Sequence, residues 1–354
     1  MLSELFAYGG AVAKSKAIKA KQMKENDFEQ LIQKKSLAEV VIFLKNNTHY
    51  SDIFQNVGDK NLHRGDIENP LKKYYASVVK KYHNFMAGSG KKVVETFFLK
   101  EEIEALKDVL RRLESDKERF IAPIDEYIAG HFSIDINKLA LAKNINEFIE
   151  MLSGSKYEKL IRGYVNSNYG GNKNMFAIEM ALDTIYFKTV YKIIDNLRNR
   201  RDKKIMKEII GTEIDLLNIM WIYRCKKYYE VPKEIVFIQL IPYKYKLSKA
   251  KLQEMAAAEK FSQLAEIIRT TEYKSMAERI ADKDGKMFIE TSYEKYFSNM
   301  LKRLVKENAF SIAVVIEEIY SVNSEISRIV NIVECIRYGL AVPEIKRVCG
   351  RGEI

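Results

Sequence analysis

A short pattern that recurs three times along the 354 residues constrains this chain more than any other feature. An Ile-Glu pair is followed seven or eight residues later by a tyrosine and a second aromatic residue. The three glutamates, Glu68, Glu179 and Glu290, are separated by 111 residues in both intervals. The aromatic residues are Tyr74 and Tyr75, Tyr186 and Phe187, and Tyr296 and Phe297. Such regular self-similarity predicts three related structural units.

Two further elements recur around this pattern in the same order. Upstream of each copy we predict a pair of short amphipathic helices that ends near a tyrosine, with the second copy compressed. These segments are Asp27 to Tyr50, Ile145 to Tyr157 and Leu252 to Tyr273. Downstream, a Glu-Ile pair is followed by an apolar helix that reaches an arginine, from Glu102 to Arg111, Glu213 to Arg224 and Glu325 to Arg337. The repeated unit therefore contains at least three elements.

The periodicity of the apolar residues predicts an all-α fold. Apolar residues recur at helical spacing almost everywhere, as in Leu106, Val109 and Leu110, and alternating strand patterns are nearly absent. Only 5 prolines and 16 glycines interrupt the chain, which is compatible with long helices. A repeat of about a hundred residues can hold a small core of its own, unlike a solenoid repeat. We expect helical units at 1–120, 121–235 and 236–354, around a pseudo-threefold axis or in a short curved array.

Local signals predict several helix limits. We place helix starts at Asp27, at Ser36 with Glu39 as its capping-box partner, and at Asn69, where Pro70 would occupy the first helical position and leave Glu68 outside the helix. Between Pro232 and Pro242 we expect a helix with a sharp stop rather than a strand. Loops are predicted around 88–90, 166–174, 282–285 and after residue 350.

The charge and the cysteines bear on partners and compartment. A formal charge of +11 favours acidic partners such as anionic lipid, nucleic acid or acidic protein surfaces. The three cysteines show no paired framework, which fits a reducing compartment. With no apparent signal peptide and no apolar run of membrane-spanning length, we expect a soluble, cytoplasmic protein. Two basic clusters are either solvated faces or contacts with an acidic partner or anionic headgroups. They are Lys14, Lys16, Lys19, Lys21 and Lys24 on the first helix, and Arg198, Arg200, Arg201, Lys203 and Lys204 at a helix junction.

Little in the sequence points to catalysis, a metal or a cofactor. The four histidines, His49, His63, His83 and His131, have no metal-ligand spacing. The segment from Gly88 to Lys91 lacks the first glycine and the final Ser or Thr of a phosphate loop, so we interpret it as an interhelical turn. The repeated glutamates could in principle form an acid/base set. We favour the simpler role, in which each accepts hydrogen bonds from a tyrosine or a nearby arginine.

Over nearly its whole length the chain resembles the C (also called d) family of central-stalk subunits in V-type and A-type ATPases. The resemblance rests on the order of several segments together with the threefold repetition. They are Tyr8 to Met23, Asp27 and Phe28 with Tyr50, Trp221 to Tyr229, Leu240 to Tyr243 with Leu247 and Ser248, and Arg337 to Leu340 with Pro343 to Ile345. The chain departs from the pattern at Gly9 and Gly10 and in the lysines of its first helix.

This resemblance implies a funnel-shaped, all-α central-stalk subunit without an active site. Its base would seat on the cytoplasmic face of the membrane rotor ring, and its cavity would receive axle subunits of the D and F type. The chain would bind no nucleotide, ion or cofactor and no nucleic acid. On this view the residues that define the repeat are structural: Glu68, Tyr75, Glu179, Tyr186, Glu290, Tyr296, Arg224 and Arg337.

Three other functions are weighed against the rotor role. A helical scaffold or adaptor unrelated to a rotary ATPase would share every physical feature above. A nucleic-acid-binding protein is suggested only by the pI of about 9.2, and no aromatic-basic recognition motif supports it. A helical enzyme would need a clustered site that the sequence does not contain.

Overall fold

The computed structural model describes residues 2–58, 60–114, 124–166, 172–229, 233–277 and 288–349. Along these residues the chain forms helices and turns with no β-strand, so the prediction of an all-α fold is confirmed. The predicted loops at 282–285 and after residue 350 lie outside the described residues. None of the helices along the described residues has both the length and the apolar character to cross a bilayer.

The described helices form three successive runs of six, in which four helices, short except for the first one of the chain, precede two long ones. The first run is α1 (Leu2–Lys19), α2 (Glu25–Ile32), α3 (Leu37–Asn47), α4 (Ser51–Phe54), α5 (Arg64–Phe85) and α6 (Gly88–Glu114). The second is α7 (Glu126–Ala129), α8 (Ile136–Leu139), α9 (Ile145–Met151), α10 (Glu158–Asn166), α11 (Asn172–Asp195) and α12 (Arg200–Arg224). The third is α13 (Lys233–Gln239), α14 (Lys249–Ala257), α15 (Phe261–Arg269), α16 (Lys274–Ala277), α17 (Phe288–Glu307) and α18 (Ile312–Arg337), after which α19 (Val342–Cys349) follows. The order of elements thus repeats three times, as the sequence predicts.

The second long helix of two hairpins begins at a side-chain cap. The Asn199 side chain accepts the backbone N–H groups of Arg201 and Asp202 at 2.9 and 3.3 Å, which starts α12. Ser311 accepts the N–H of Ala313 at 3.2 Å and starts α18. Between α5 and α6 the chain turns at Met86 and Ala87 instead. Gly88 has φ of +54°, a conformation that glycine adopts without steric cost.

Several predicted helix limits are corrected. Helix α5 begins at Arg64, and the Asp66 carboxylate accepts the His63 N–H at 2.8 Å to fix that start. Pro70 therefore lies inside the helix and Glu68 in its second turn. Similarly, α2 begins at Glu25, two residues before the predicted Asp27, and residues 88–90 form the first turn of α6 rather than a loop.

Other predicted limits are confirmed. Ser36 accepts the N–H of Glu39 at 3.2 Å at the start of α3. Helix α13 ends at Gln239, shortly before Pro242. This stop is expected, because a proline disfavours helical geometry in the residue before it. The second repeat is less compressed than predicted, because α8 precedes α9 and restores the helix pair.

The contacts divide the chain into two compact units. Unit 1 contains 1–94, 122–130 and 305–354, and unit 2 contains 95–121 and 131–304. In unit 1, α18 is flanked by α5 and α1, and fully buried side chains such as Leu31, Leu44 and Val79 form the core. In unit 2, α12 contacts α11 and α14, with Ile214 and Ile219 completely buried.

Candidate functional site: repeated tyrosine and arginine junctions

A buried tyrosine follows the short helices of every repeat at the same local turn. Tyr50, Tyr157 and Tyr273 are all fully buried. Two residues before each tyrosine stands a Thr or Ser whose hydroxyl accepts the tyrosine N–H, at 3.2, 3.3 and 3.1 Å respectively. This local hydrogen bond fixes the turn and aims the ring into the core. The underlying pairs are Thr48 with Tyr50, Ser155 with Tyr157, and Thr271 with Tyr273.

The helix before each of these turns begins with a matching cap. Glu147 N–H donates to the Asn144 side chain at 3.0 Å, as Glu39 N–H does to Ser36. The contact that all three helices share is a backbone N–H accepted by the side chain of the third helical residue. Glu39 accepts from Lys35 at 2.9 Å, Glu147 from Lys143 at 2.9 Å, and Gln263 from Glu259 at 3.0 Å. A repeated cap and a repeated turn place the three tyrosines equivalently, although few residues are identical among the repeats.

Each tyrosine hydroxyl donates to a carboxylate on the second long helix of a different repeat. Tyr157 donates to Glu102 of α6 at 2.5 Å, and Tyr273 donates to Asp215 of α12 at 2.8 Å. Both pairs lie in unit 2. In unit 1, Tyr50 donates to Glu325 of α18 at 2.7 Å. The second repeat is thereby joined to the first, the third to the second, and the first to the third.

The same carboxylates accept backbone N–H groups from the chain just before a short helix. Glu325 accepts the N–H of Met23, two residues before α2, at 3.1 Å. Asp215 accepts the N–H groups of Lys246 and Leu247, before α14, at 2.8 and 3.0 Å. Glu102 accepts the N–H of Ser133, before α8, and the Ser133 hydroxyl at 2.7 Å. Each carboxylate therefore holds two separate segments of the next repeat.

Burial determines the electrostatics of these junctions. Burial raises the pKa of Asp215 to about 6, against the lowering effect of its hydrogen bonds from Tyr273 and the backbone. The pKa of Tyr273 is raised by burial and by the adjacent carboxylate, so the hydroxyl remains a donor throughout the physiological range. Beside Glu325, burial lowers the pKa of His49 to about 4 and keeps its ring neutral near pH 7. A hydrogen bond to a charged group contributes about 1.5–3 kcal/mol, so the junctions stabilise substantially.

The glutamates of the repeated pattern form a second set of contacts. Glu179 accepts from Arg111 at 2.5 Å, and Glu290 accepts from Arg224 at 2.9 Å. Each pair again joins a repeat to the one before it. These arginines lie in the last turns of α6 and α12, the apolar helices that the sequence pattern identifies.

In unit 1, Glu68 does not contact the arginine at the end of α18 directly, and other charged side chains lie between them. Arg64 binds Glu68 at 2.7 Å and Glu334 at 2.9 Å, and Glu334 also binds Arg337 at 2.8 Å. Arg64 therefore connects Glu68 with the arginine that ends the third repeat. The interpretation of the glutamates as hydrogen-bond acceptors agrees with all three contacts.

The aromatic residues of the pattern take different places. Tyr74 lies edge-on to Tyr50 with ring centroids 5.1 Å apart, and Tyr296 lies beside Tyr273 at 5.2 Å. Tyr74 is therefore the counterpart of Tyr296, whereas Tyr75, which the sequence predicted for this place, is the buried neighbour of Tyr74 in α5. Tyr186 packs edge-on against Phe187 at 4.9 Å.

Sequence reasoning missed Asp215 and the hydroxyl before each tyrosine. The Glu-Ile pattern points to Glu213, which instead binds Lys100 at 2.7 Å. Asp215 stands nine residues before Arg224, as Glu102 stands nine before Arg111, so counting back from the arginines would have found it. The Thr or Ser two residues before each tyrosine was visible in the sequence as well.

A charged cavity of about 210 Å³ lies in unit 2 beside the Arg111 contact. Lys107, which is almost completely buried, donates there to Glu104 at 2.8 Å and to Asp183 at 2.5 Å. Burial raises the pKa of Asp183 to about 6. The cavity walls thus pair cations with carboxylates, which compensates these buried charges.

The two basic clusters are only partly available to partners. Lys21 and Lys24 lie beyond the end of α1 at Lys19, so the prediction that the whole first cluster lies on the first helix is wrong. Lys19 pairs with Glu317. In the second cluster, Lys203 donates to the carbonyl of Asp195 at 2.7 Å and is engaged at the end of α11. Arg201 is half-buried, and the exposed members are Arg198, Arg200 and Lys204.

Comparison with known protein families identifies the family whose sequences this chain resembles. A model of the ATP synthase (C/AC39) subunit family matches residues 11–348. The chain belongs to the ATP synthase C/AC39 subunit family.

Several relatives carry the same description along nearly the whole chain. The C subunit of the A-type ATP synthase of Methanosphaera stadtmanae is 24% identical, and the match covers 98% of this chain and 89% of the relative. The corresponding subunits of Methanocaldococcus jannaschii and Pyrococcus horikoshii are also 24% identical, over 94% and 96% of this chain and 84% and 89% of the relatives. The resemblance inferred from the sequence is therefore confirmed, and it extends over nearly the whole chain.

Proposed function

We propose that this chain is the non-catalytic central-stalk subunit of a rotary V-type ATPase or A-type ATP synthase. In that role it links axle subunits of the D and F type to the membrane rotor ring and transmits rotation between them. Rotation couples ATP hydrolysis or synthesis to ion transport elsewhere in the complex. The family supports the membership in an ATP synthase, and the junctions support the mechanical role.

The order of the tyrosine junctions carries this proposal. Tyr157 and Tyr273 each join a repeat to its predecessor, and Tyr50 joins the first repeat to the third. Such an order is expected when the three repeats, 1–120, 121–235 and 236–354, surround a pseudo-threefold axis and form a funnel. In a closed ring of three repeats, no repeat would be terminal, so none could separate from only one neighbour under load.

Torque transmission requires stiffness, which the contacts supply. The three tyrosines are fully buried, and their carboxylates accept hydrogen bonds from at least two segments. Close-packed interiors transmit strain rather than absorb it. A load applied to one of the compact units would therefore cross that unit with little internal deformation.

The exposed part of the second basic cluster is our candidate for a partner contact. Arg198, Arg200 and Lys204 are exposed at the turn between α11 and α12. Cations at such a turn would attract acidic loops of a rotor ring or anionic headgroups within a Debye length, about 8 Å at physiological salt. The protein would then lie at the cytoplasmic face of the membrane as a peripheral part of the complex, without a cofactor.

Reconstitution tests the role. The purified chain is mixed with detergent-solubilised rotor ring and with axle subunits, and assembly is measured by size-exclusion chromatography without nucleotide. We expect one assembly that contains all three components. A chain that elutes alone, with ring and axle proteins shown to be folded, would contradict the proposed role.

Charge reversal tests the contact separately. The variant with Arg198, Arg200 and Lys204 changed to Glu should lose ring binding at low salt and keep its helical content. The matched control changes Lys260, Lys274 and Lys295, which are also exposed, to Glu. Equal ring binding by both variants would exclude the α11–α12 turn as the contact. The rotor role itself is tested separately by the reconstitution.

A further inference from the structure

Two of the three cysteines face each other in unit 1. Cys335 lies in the last turns of α18, Cys349 ends α19, and their Sγ atoms are 3.8 Å apart. Both thiols are buried. A disulfide has an S–S length of about 2.05 Å, so the sulfurs need to approach by roughly 1.8 Å. A side-chain rotation or a small shift of α19 provides a displacement of that size.

The turn between the two helices explains why the thiols meet. Gly339 has φ of +70°, and its N–H donates to Ile336 O at 3.0 Å. The N–H of Leu340 donates to the carbonyl of Cys335 at 3.1 Å. These bonds end α18 and reverse the chain, in the manner of a glycine-terminated helix. The buried Ile345 then seats α19 against α18, with Cys349 beside Cys335.

An independent contact holds the far end of α19 in this place. Arg328 Nε donates to the carbonyl of Cys349 at 3.0 Å, and its Nη1 donates to Glu25 at 2.8 Å. The guanidinium also lies over the Phe28 ring, 3.9 Å from the centroid. Cys349 is therefore anchored from two sides, and its thiol position is set by the fold rather than by chance proximity.

We propose that Cys335 and Cys349 are a redox modification site that forms a reversible disulfide by exchange with small disulfides such as oxidised glutathione. The thiolate of Cys349 attacks one sulfur of the reagent, and one glutathione leaves and takes up a proton. The thiolate of Cys335 then attacks the mixed disulfide at Cys349 and releases the second glutathione. Two protein thiols are oxidised, and one small disulfide is reduced to two thiols.

Burial sets the rate of this exchange. It raises the pKa of Cys349 to about 12 and that of Cys335 above its usual value, so little thiolate is present at neutral pH. The first attack therefore waits for α19 to open, and the bond forms slowly. Once formed, it fastens α19 to α18 and opposes that opening. This inference is independent of the proposed rotor function.

Thiol counting tests the proposal. The full-length chain is equilibrated with mixtures of oxidised and reduced glutathione at pH 8, quenched with an alkylating agent, unfolded and analysed by mass spectrometry. The reduced chain has three thiols. We expect the oxidised chain to keep only that of Cys225, with the other two in one cross-linked peptide. Three remaining thiols, a bond to Cys225 or a stable glutathione adduct would overturn the proposal.

Two controls separate positioning by the fold from ordinary thiol reactivity. Cys225→Ser should lose both of its thiols on oxidation, and Cys349→Ser should form no internal disulfide. The same titration in denaturant should need a ratio of oxidised to reduced glutathione about tenfold higher for half oxidation, because unfolding disperses the pair. Equal midpoints in the folded and unfolded chains would refute a site built by the fold.

Discussion

Tyr273→Phe is the most direct test of the tyrosine junctions. The change removes only a hydroxyl, which donates to Asp215 at 2.8 Å in a fully buried setting. Asp215 keeps the N–H groups of Lys246 and Leu247 as donors. A hydrogen bond to a charged group contributes about 1.5–3 kcal/mol, and the remaining donors soften its loss. We expect the free energy of unfolding of unit 2 to fall by about 2 kcal/mol at pH 8.

The loss should depend on pH in a defined direction. Because burial raises the pKa of Asp215 from its usual 3.8 to about 6, the folded state binds this proton more tightly than the unfolded state. Stability therefore falls as pH rises from 3.8 to about 6 and is level above that window. Without the Tyr273 donor the carboxylate is less stabilised, so its pKa rises further. The penalty of the variant should shrink to about 1 kcal/mol at pH 4, where the folded carboxyl is protonated.

Urea denaturation measures this effect through the single tryptophan. Trp221 is buried in unit 2, so its fluorescence reports unfolding around Asp215. Tyr243→Phe is the matched control, since that hydroxyl has no hydrogen bond to the rest of the described chain, and its variant should change stability by less than about 0.5 kcal/mol. Equal losses for the two variants, or a Tyr273→Phe loss that is the same at pH 4 and pH 8, would refute the reasoning.

Ion pairs, a crowded glycine and a buried carboxyl give three further predictions. Arg111→Gln should lower the free energy of unfolding in urea by about 1–2 kcal/mol. Arg224→Gln should lower it by less than about 1 kcal/mol, because the ion pair of Arg224 is more exposed. Equal losses for the two variants would contradict this prediction. Gly211→Ala should lower Tm, because its Cβ would lie 2.5 Å from a tyrosine ring, whereas Gly163→Ala in open space on α10 should raise Tm slightly. Burial raises the pKa of Glu318 to about 7, and Ser15 of α1 donates a hydrogen bond to this carboxyl. Since the folded state binds the proton more tightly, stability falls as pH rises from 4.5 to about 7. The amides of α1 should therefore lose hydrogen-exchange protection over this range, after correction for the intrinsic exchange rate.

Helix limits show how far local signals reach. The cap at Ser36 was predictable because a side chain three residues from its partner needs no tertiary context. The cap that starts α5, from the His63 N–H to Asp66, is equally local, but Pro70 is typical of a first helical turn and indicated a later start. Pro70 is the seventh residue of α5, so it removes one i→i−4 hydrogen-bond donor, and the helix continues to Phe85 in spite of that loss.

The amino-acid sequence by itself determined the all-α fold, the three repeats and the family. These follow from periodic apolar residues and from patterns such as those of Glu68, Glu179 and Glu290, which can be read along one chain. Only the tertiary structure decided that Tyr50 meets Glu325 and that Cys335 meets Cys349. Contacts of that kind depend on which helices pack together, and packing is settled by the shape and burial of many side chains at once.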